Sequence, residues 1–65
     1  MQNIVIQTKD GELTLFYTDG GIERAEEVVK VAGLYGDVED IFEVPDGDLE
    51  HYCFDGRVWD NEKEF

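Results

Sequence analysis

The chain has 65 residues, and its 17 acidic residues against 5 basic ones give a formal charge of −12. Such a surface repels phosphate backbones and anionic membranes, so we expect it to bind neither nucleic acid nor membrane directly. No apolar run approaches the ~20 residues of a membrane-spanning helix, and the amino terminus lacks the order of a secretory signal. The single cysteine excludes a disulfide framework and favours a reducing compartment, so we predict a cytoplasmic protein.

Residues 3–9 and 12–18 alternate in a period of two and predict a β-hairpin. The Asp10-Gly11 pair between them is typical of a two-residue type I′ turn. Pairing outward from that turn sets Ile6 opposite Leu15. The predicted core face of this hairpin then carries Ile4, Ile6, Leu13, Leu15 and Tyr17.

Residues 22–32 predict an amphipathic helix. It follows Asp19-Gly20-Gly21, which is predicted to end the hairpin. Several β-branched valines lower the helix propensity of this segment, but the apolar period of about 3.6 favours a helix. Gly33 or Gly36 is predicted to end it in a left-handed conformation. The predicted buried side carries Ile22, Ala25, Val28, Val29 and Ala32.

The second half of the chain predicts strands at 38–44 and 49–54, separated by a turn at Pro45-Asp46-Gly47. Asp55-Gly56 predicts a further tight turn into 57–60, which would place Tyr52 opposite Trp59 and His51 opposite Asp60. The predicted fold class is α+β, a small antiparallel β-sheet with one helix packed on one face in the order ββαβββ. We expect one domain over residues 1–60 and a frayed acidic tail at 61–65.

A single helix can cover only one face of such a sheet, so some apolar area is expected to stay exposed. Val5 and Phe16 are predicted to point away from the core face of the first hairpin. Exposed apolar patches mark interaction sites or contacts of a homodimer. The alternative is that strand twist and the tail cover this area.

The sequence offers little for catalysis, since it contains no serine and one histidine. His51 and Cys53 would lie on one strand face roughly 7 Å apart, beyond hydrogen-bond reach. A domain of this size also has little room for a cleft between two catalytic carboxylates. We therefore predict that the protein is not an enzyme.

A calcium loop is suggested only in part by Asp46, Asp48 and Glu50, which follow its opening spacing. Continuing the register places His51 where the loop needs glycine and Arg57 where it needs glutamate. We predict no metal site and no cofactor.

Acidic residues concentrate in the second half: residues 1–36 carry six acids and three bases, whereas residues 37–65 carry eleven acids and two bases. On a strand, carboxylates two residues apart, such as Asp46 and Asp48, would recur every ~6.6 Å on one face, a separation comparable to that of DNA phosphates. A rigid row of this kind can occupy a groove that holds nucleic acid. The predicted partner-binding residues are Glu39, Asp40, Glu43, Asp46, Asp48, Glu50, Tyr52, Asp55, Trp59 and Asp60.

Three functions fit these features, and all involve binding. The favoured one is a nucleic-acid mimic, a phage or mobile-element inhibitor of anti-restriction or anti-CRISPR type, whose partner is a basic surface of a nucleic-acid-binding protein or enzyme. The second is a salt-adapted interaction module, which the scarcity of lysine fits and the uneven spread of charge does not. The third is an antitoxin or immunity-like accessory subunit, anchored through Tyr52 and Trp59.

Overall fold

The computed structural model describes residues 1–32 and 37–60. Their α+β arrangement, a sheet with one helix packed on one face, confirms the predicted fold class. Within these ranges, neither helix has the length and apolar character needed to span a membrane. The predicted helix ends at Gly33 and Gly36 and the predicted frayed tail at 61–65 lie outside the described residues.

In chain order the elements are β1 (Gln2–Thr8), β2 (Leu13–Thr18), α1 (Gly21–Ala32), β3 (Val38–Glu43), a 3₁₀ helix (Asp46–His51) and β4 (Gly56–Trp59).

The four strands lie in the order β3-β1-β2-β4, with β1 antiparallel to both β2 and β3, and β4 parallel to β2. The sheet is therefore mixed, and the prediction that it is entirely antiparallel is wrong. Parallel strands cannot be joined by a tight turn and need a crossover. Helix α1 crosses from β2 to β3, and residues 44–55 cross from β3 at one edge to β4 at the other.

The β1–β2 turn is a three-residue loop, and the predicted type I′ turn is wrong. The amide of Gly11 donates to the carbonyl of Thr8 at 3.0 Å, and the amide of Thr8 donates to the carbonyl of Glu12 at 3.0 Å. Gly11 has a φ of 95°, whereas Asp10 does not adopt positive φ. This is a type I turn followed by a glycine bulge, and the Thr8 hydroxyl stabilises it by donating to the Asp10 carboxylate.

The extra loop residue shifts the strand register by one position, which separates the predicted core face into two groups. Val5 pairs with Leu15, and Ile4 pairs with Phe16. Because side chains alternate along a strand, a shift of one residue exchanges the faces of one partner. The core under α1 consists of the buried side chains Ile4, Ile6, Phe16, Ala25 and Val28, with Val29, Val38, Ile41 and Val58 packed against them.

A second core lies on the opposite face, where the sequence predicted exposed apolar area. Val5 and Phe16 were both predicted to point away from the core, but both are completely buried. Val5 belongs to the second core, and Phe16 belongs to the core under α1. The crossover 44–55 covers this face with its own apolar side chains. This core contains the buried residues Val5, Leu15 and Val44, with Leu13, Tyr17, Phe42, Leu49, Tyr52 and Phe54 packed against them.

The predicted strand at 49–54 and the predicted hairpin at Asp55-Gly56 are wrong. Pro45, with φ −64°, precedes a 3₁₀ helix in which the amide of Asp48 donates to the Pro45 carbonyl at 2.9 Å. Residues 52–54 continue without strand pairing, because their alternating aromatic side chains cover the second core. After them, β4 joins the sheet beside β2 and not beside residues 49–54.

Replacement of Tyr52 by alanine tests the second core. Tyr52 packs between Phe42, at 6.2 Å between ring centroids, and Phe54, at 5.8 Å. We expect Tyr52→Ala to lower the free energy of unfolding by about 2 kcal/mol, a large part of the roughly 3–5 kcal/mol that a core of this size supplies. Urea unfolding followed by circular dichroism measures it. The control is Val31→Ala, at a position 73% exposed on α1, and an equally small effect of both changes would contradict the second core.

Candidate functional site

Acidic side chains are concentrated in residues 37–50, the segment that contains β3 and most of the 3₁₀ helix. Seven acids lie between positions 37 and 50 without a single lysine or arginine among them. All seven are exposed. We call this surface the acidic edge, and its members are Asp37, Glu39, Asp40, Glu43, Asp46, Asp48 and Glu50.

The β3 part of the acidic edge lies on an outer strand of the sheet. Glu43 pairs with Ile4 and so lies on the helix side, whereas Asp40 pairs with Gln7 on the opposite side. The register shifts beside Gln7, which leaves Glu39 as the extra residue of a bulge. Carboxylates therefore project to both sides of one edge, where solvent lies beyond the strand.

The 3₁₀ part of the acidic edge is fixed to the sheet by a buried amide. Asn3 is 6% exposed, and its side-chain nitrogen donates to the Val44 carbonyl at 3.2 Å and to the Asp46 carboxylate. The Val44 amide donates in return to the Asn3 carbonyl at 2.8 Å. Asn3 was not predicted to contribute to the site, although an amide inside an apolar strand was a signal that could have identified it.

The predicted row of strand carboxylates with phosphate-like spacing is not formed by Asp46 and Asp48. Both lie in the 3₁₀ helix, where three residues complete a turn and positions two apart face different directions. Glu62 and Glu64, which have the same two-residue spacing in the sequence, lie outside the described residues. Any likeness to nucleic acid therefore rests on the summed field of the acidic edge and not on a regular spacing.

That field is not neutralised by the rest of the described chain. Among residues 1–32 and 37–60, no cationic group forms a salt bridge with a member of the acidic edge. A strand rises by about 3.3 Å per residue, so residues two or three positions apart on β3 are separated by about 7–10 Å. This separation is close to the Debye length of about 8 Å at physiological ionic strength. Neighbouring carboxylates therefore reinforce one another.

Three predicted binding residues have structural contacts away from the acidic edge. Tyr52 belongs to the second core. The Asp55 amide donates to the Leu13 carbonyl at 2.8 Å, and the Asp55 carboxylate accepts from the Leu13 amide at 2.9 Å. Asp55 thus attaches the end of the crossover to β2.

Asp60, the third of these residues, links the end of β4 to α1. Its carboxylate accepts from the Thr18 hydroxyl at 2.6 Å and from Arg24 Nε at 2.9 Å, and the predicted contact with His51 is wrong. Arg24 also pairs with Glu27 at 2.6 Å. A Cβ on Gly20 would lie 2.5 Å from the Arg24 Cβ, so only glycine allows this close approach.

The pKa of Asp60 reflects this double contact. Burial disfavours the charged form and alone would raise the pKa, but the hydrogen bonds from Thr18 and Arg24 and the charge of Arg24 outweigh it. The pKa of Asp60 therefore lies below its ordinary value. The carboxylate is held ionised as part of the fold.

An aromatic pair lies on the face opposite α1, at the edge formed by β4. Trp59 stacks on Tyr17 with 4.1 Å between ring centroids and remains 46% exposed. Arg57 donates to the Tyr17 hydroxyl at 2.8 Å and lies 6.0 Å from the centre of the Phe54 ring. Tyr17 and Arg57 were not predicted, because their contacts depend on the parallel β2–β4 pairing between distant parts of the chain.

The described residues do not bring the one cysteine and the one histidine together. Cys53 is exposed, and His51 belongs to the 3₁₀ helix, so the two do not share a strand face. Among the described residues, no three His, Cys, Asp or Glu side chains are grouped closely enough to hold a metal ion. The described residues present a negative edge at β3, with an aromatic pair at the opposite edge of the sheet.

Comparison with known proteins adds no relative: no protein family, curated protein or solved structure matches this chain.

The Asp60 contacts predict a pH-dependent contribution to stability. Because the folded-state pKa of Asp60 is lowered, its ionised form stabilises the fold above about pH 4, and this stabilisation is lost as pH falls through the folded-state pKa. We expect Asp60→Asn to lower the free energy of unfolding by about 1 kcal/mol at pH 7.

Urea unfolding of both proteins at pH 7 and pH 3 measures this contribution, with the exposed Asp48→Asn as the matched control. The effect of Asp60→Asn is expected to shrink at pH 3, whereas Asp48→Asn changes little at pH 7. A difference of the same size at both pH values would contradict the ionic role of Asp60.

Proposed function

We propose that this protein is a small acidic binding protein that occupies a basic surface of a partner protein in the cytosol, and that the partner surface is one that binds nucleic acid. The observation that carries the proposal is the acidic edge, with seven exposed carboxylates in fourteen consecutive positions and no lysine or arginine among them. The complement of such a field is a cationic surface. A groove that holds DNA or RNA is such a surface, because its lysines and arginines neutralise the phosphates.

Protection of a sheet edge explains part of the acidic edge but not all of it. Charged residues and bulges on an outer strand prevent pairing with another chain, and this accounts for Glu39, Asp40 and Glu43. Asp48 and Glu50 lie on the 3₁₀ helix and not on a strand. Their exposure in the segment that follows β3 favours a binding role for the acidic edge as a whole.

The attachment of this surface supports binding without much loss of conformational freedom. The 3₁₀ helix is fixed by the Asn3 contacts at its start and by the Asp55–Leu13 hydrogen bonds after it. Carboxylates on a fixed backbone lose little backbone entropy on binding. The charge of the surface provides long-range attraction, and its attachment preserves the geometry.

Competition with DNA tests the proposal. The protein, immobilised through a carboxy-terminal tag, is exposed to a lysate of its source organism at low salt, and captured proteins are identified by mass spectrometry. We expect captured proteins that bind nucleic acid, release by duplex DNA, and affinity that falls steeply with salt. Capture that DNA does not displace would contradict occupation of a nucleic-acid site and would favour an accessory-subunit role at another basic surface.

Charge reversal locates the binding surface. The variant Glu39→Lys, Glu43→Lys, Asp48→Lys changes the formal charge from −12 to −6 on the acidic edge. The matched control Glu12→Lys, Glu23→Lys, Glu26→Lys makes the same change in net charge elsewhere. We expect the first variant to lose at least tenfold more affinity for the captured partner than the control, measured by titration calorimetry. Equal losses would show that net charge, and not the acidic edge, determines binding.

Stability in salt separates the proposal from a salt-adapted module. Screening relieves self-repulsion as the Debye length falls from ~30 Å at 0.01 M to ~8 Å at 0.15 M. We therefore expect the free energy of unfolding, measured with urea, to rise over this range of KCl and then to level off. A continuous rise up to molar KCl would contradict the proposal and favour salt adaptation.

A further inference from the structure

The surface formed by Trp59, Tyr17 and Asp46 combines an exposed aromatic pair with the first carboxylate of the 3₁₀ part of the acidic edge. Trp59 pairs with Tyr17 across β4 and β2, and Tyr17 pairs with Asn3 across β2 and β1. The Asn3 side chain then donates to Asp46. These four residues therefore form one line across the sheet on the face opposite α1, with neighbouring strands about 4.8 Å apart.

The two ends of this line differ in chemistry. At the β4 end, Trp59 leaves nearly half of its surface in solvent while stacking on Tyr17. At the β3 end, the carboxylates of Asp46 and Asp48 are exposed. Two to three strands, roughly 10–14 Å, separate the aromatic pair from these carboxylates, so a single guanidinium cannot contact both. A segment that carries more than one cationic side chain can place one on the aromatic pair and another on the carboxylates.

From this arrangement, and resting on the proposed function, we infer that the surface accepts an arginine-bearing segment of the basic partner, with a guanidinium over the Trp59–Tyr17 pair. A guanidinium stacks on aromatic faces and pairs with carboxylates in a planar geometry, whereas the ammonium of lysine is a compact, strongly hydrated charge. The pair thus adds selectivity for arginine to the general attraction of the acidic edge.

Arg57 of the chain itself illustrates this chemistry on the same face. It pairs with Leu15 on the side of the second core, and its guanidinium donates to the Tyr17 hydroxyl and lies 6.0 Å from the centre of the Phe54 ring. The aromatic cluster already accommodates one guanidinium at its solvent side. Because Arg57 adds a positive charge to the surface, its removal is expected to leave binding of a second cation unchanged or tighter.

The chain contains one tryptophan, which makes the inference directly measurable. Labelled octa-arginine and octa-lysine, which have equal charge, are titrated with the wild-type protein at 0.15 M salt, and affinity is measured by fluorescence anisotropy. Emission of Trp59 is recorded with the unlabelled peptides. We expect about twofold to fivefold tighter binding of octa-arginine, with a change in Trp59 emission that octa-lysine does not produce.

Three variants separate stacking from charge and from folding. Trp59→Leu is expected to remove the preference for octa-arginine while retaining salt-dependent binding of both peptides, and Trp59→Phe to keep part of the preference. Arg57→Gln is expected to retain it fully. Circular dichroism and urea unfolding check each variant, and Trp59→Phe provides the comparison if Trp59→Leu does not fold.

The outcomes for the two proposals are distinct. Equal affinities of the wild-type protein for both peptides, with unchanged Trp59 emission, would overturn arginine recognition and leave the acidic edge in place. A preference that survives in Trp59→Leu would also overturn it. Failure of both peptides to bind would instead contradict the proposed function itself.

Discussion

The structure depends on packing of the crossover 44–55 against the face of the sheet that α1 does not cover. Both faces of this sheet are apolar, and α1 covers only one of them. Leu49, Tyr52 and Phe54, each half-buried, cover the second face, and burial stabilises a fold by about 25 cal/mol per Å² of apolar surface removed from water. Without this packing, Val5 and Leu15 would be exposed and β4 would have no means of reaching β2.

The same crossover creates both parts of the proposed binding surface. Its first half continues the acids of β3 onto the 3₁₀ helix and so extends the acidic edge beyond a single strand. Its second half delivers β4, which places Trp59 on Tyr17. Hydrophobic burial on one side of the segment thereby fixes the positions of charged and aromatic groups on its solvent side. The fold and the proposed function are thus consequences of one packing interaction.

Local patterns were sufficient to predict the α+β class, the strands β1, β2 and β3 and the helix, because each shows a clear period of two or 3.6. The register failed at a single residue: Asp10-Gly11 occurs in two-residue and three-residue turns alike, and the choice decides which side chains face α1. The alternation at 49–54 indicates one buried side but not whether the segment pairs within the sheet or covers it. The parallel pairing of β4 depends on contacts between distant parts of the chain, which no local pattern encodes.

Among the candidate site residues, composition indicated the acidic edge, whereas the contacts of Asp60 with Arg24 and Thr18 require the assembled sheet.

Amide hydrogen exchange followed by NMR tests the central packing most directly. The amides of Asp55 and Asp60 donate to β2 carbonyls, and these bonds form only if the crossover lies on the sheet and delivers β4. Packing of the crossover predicts that these two amides exchange at rates close to those of the β1 amides, because they open only when the whole domain unfolds. Exchange of both at the rate of an unstructured peptide, while β1 stays protected, would contradict it.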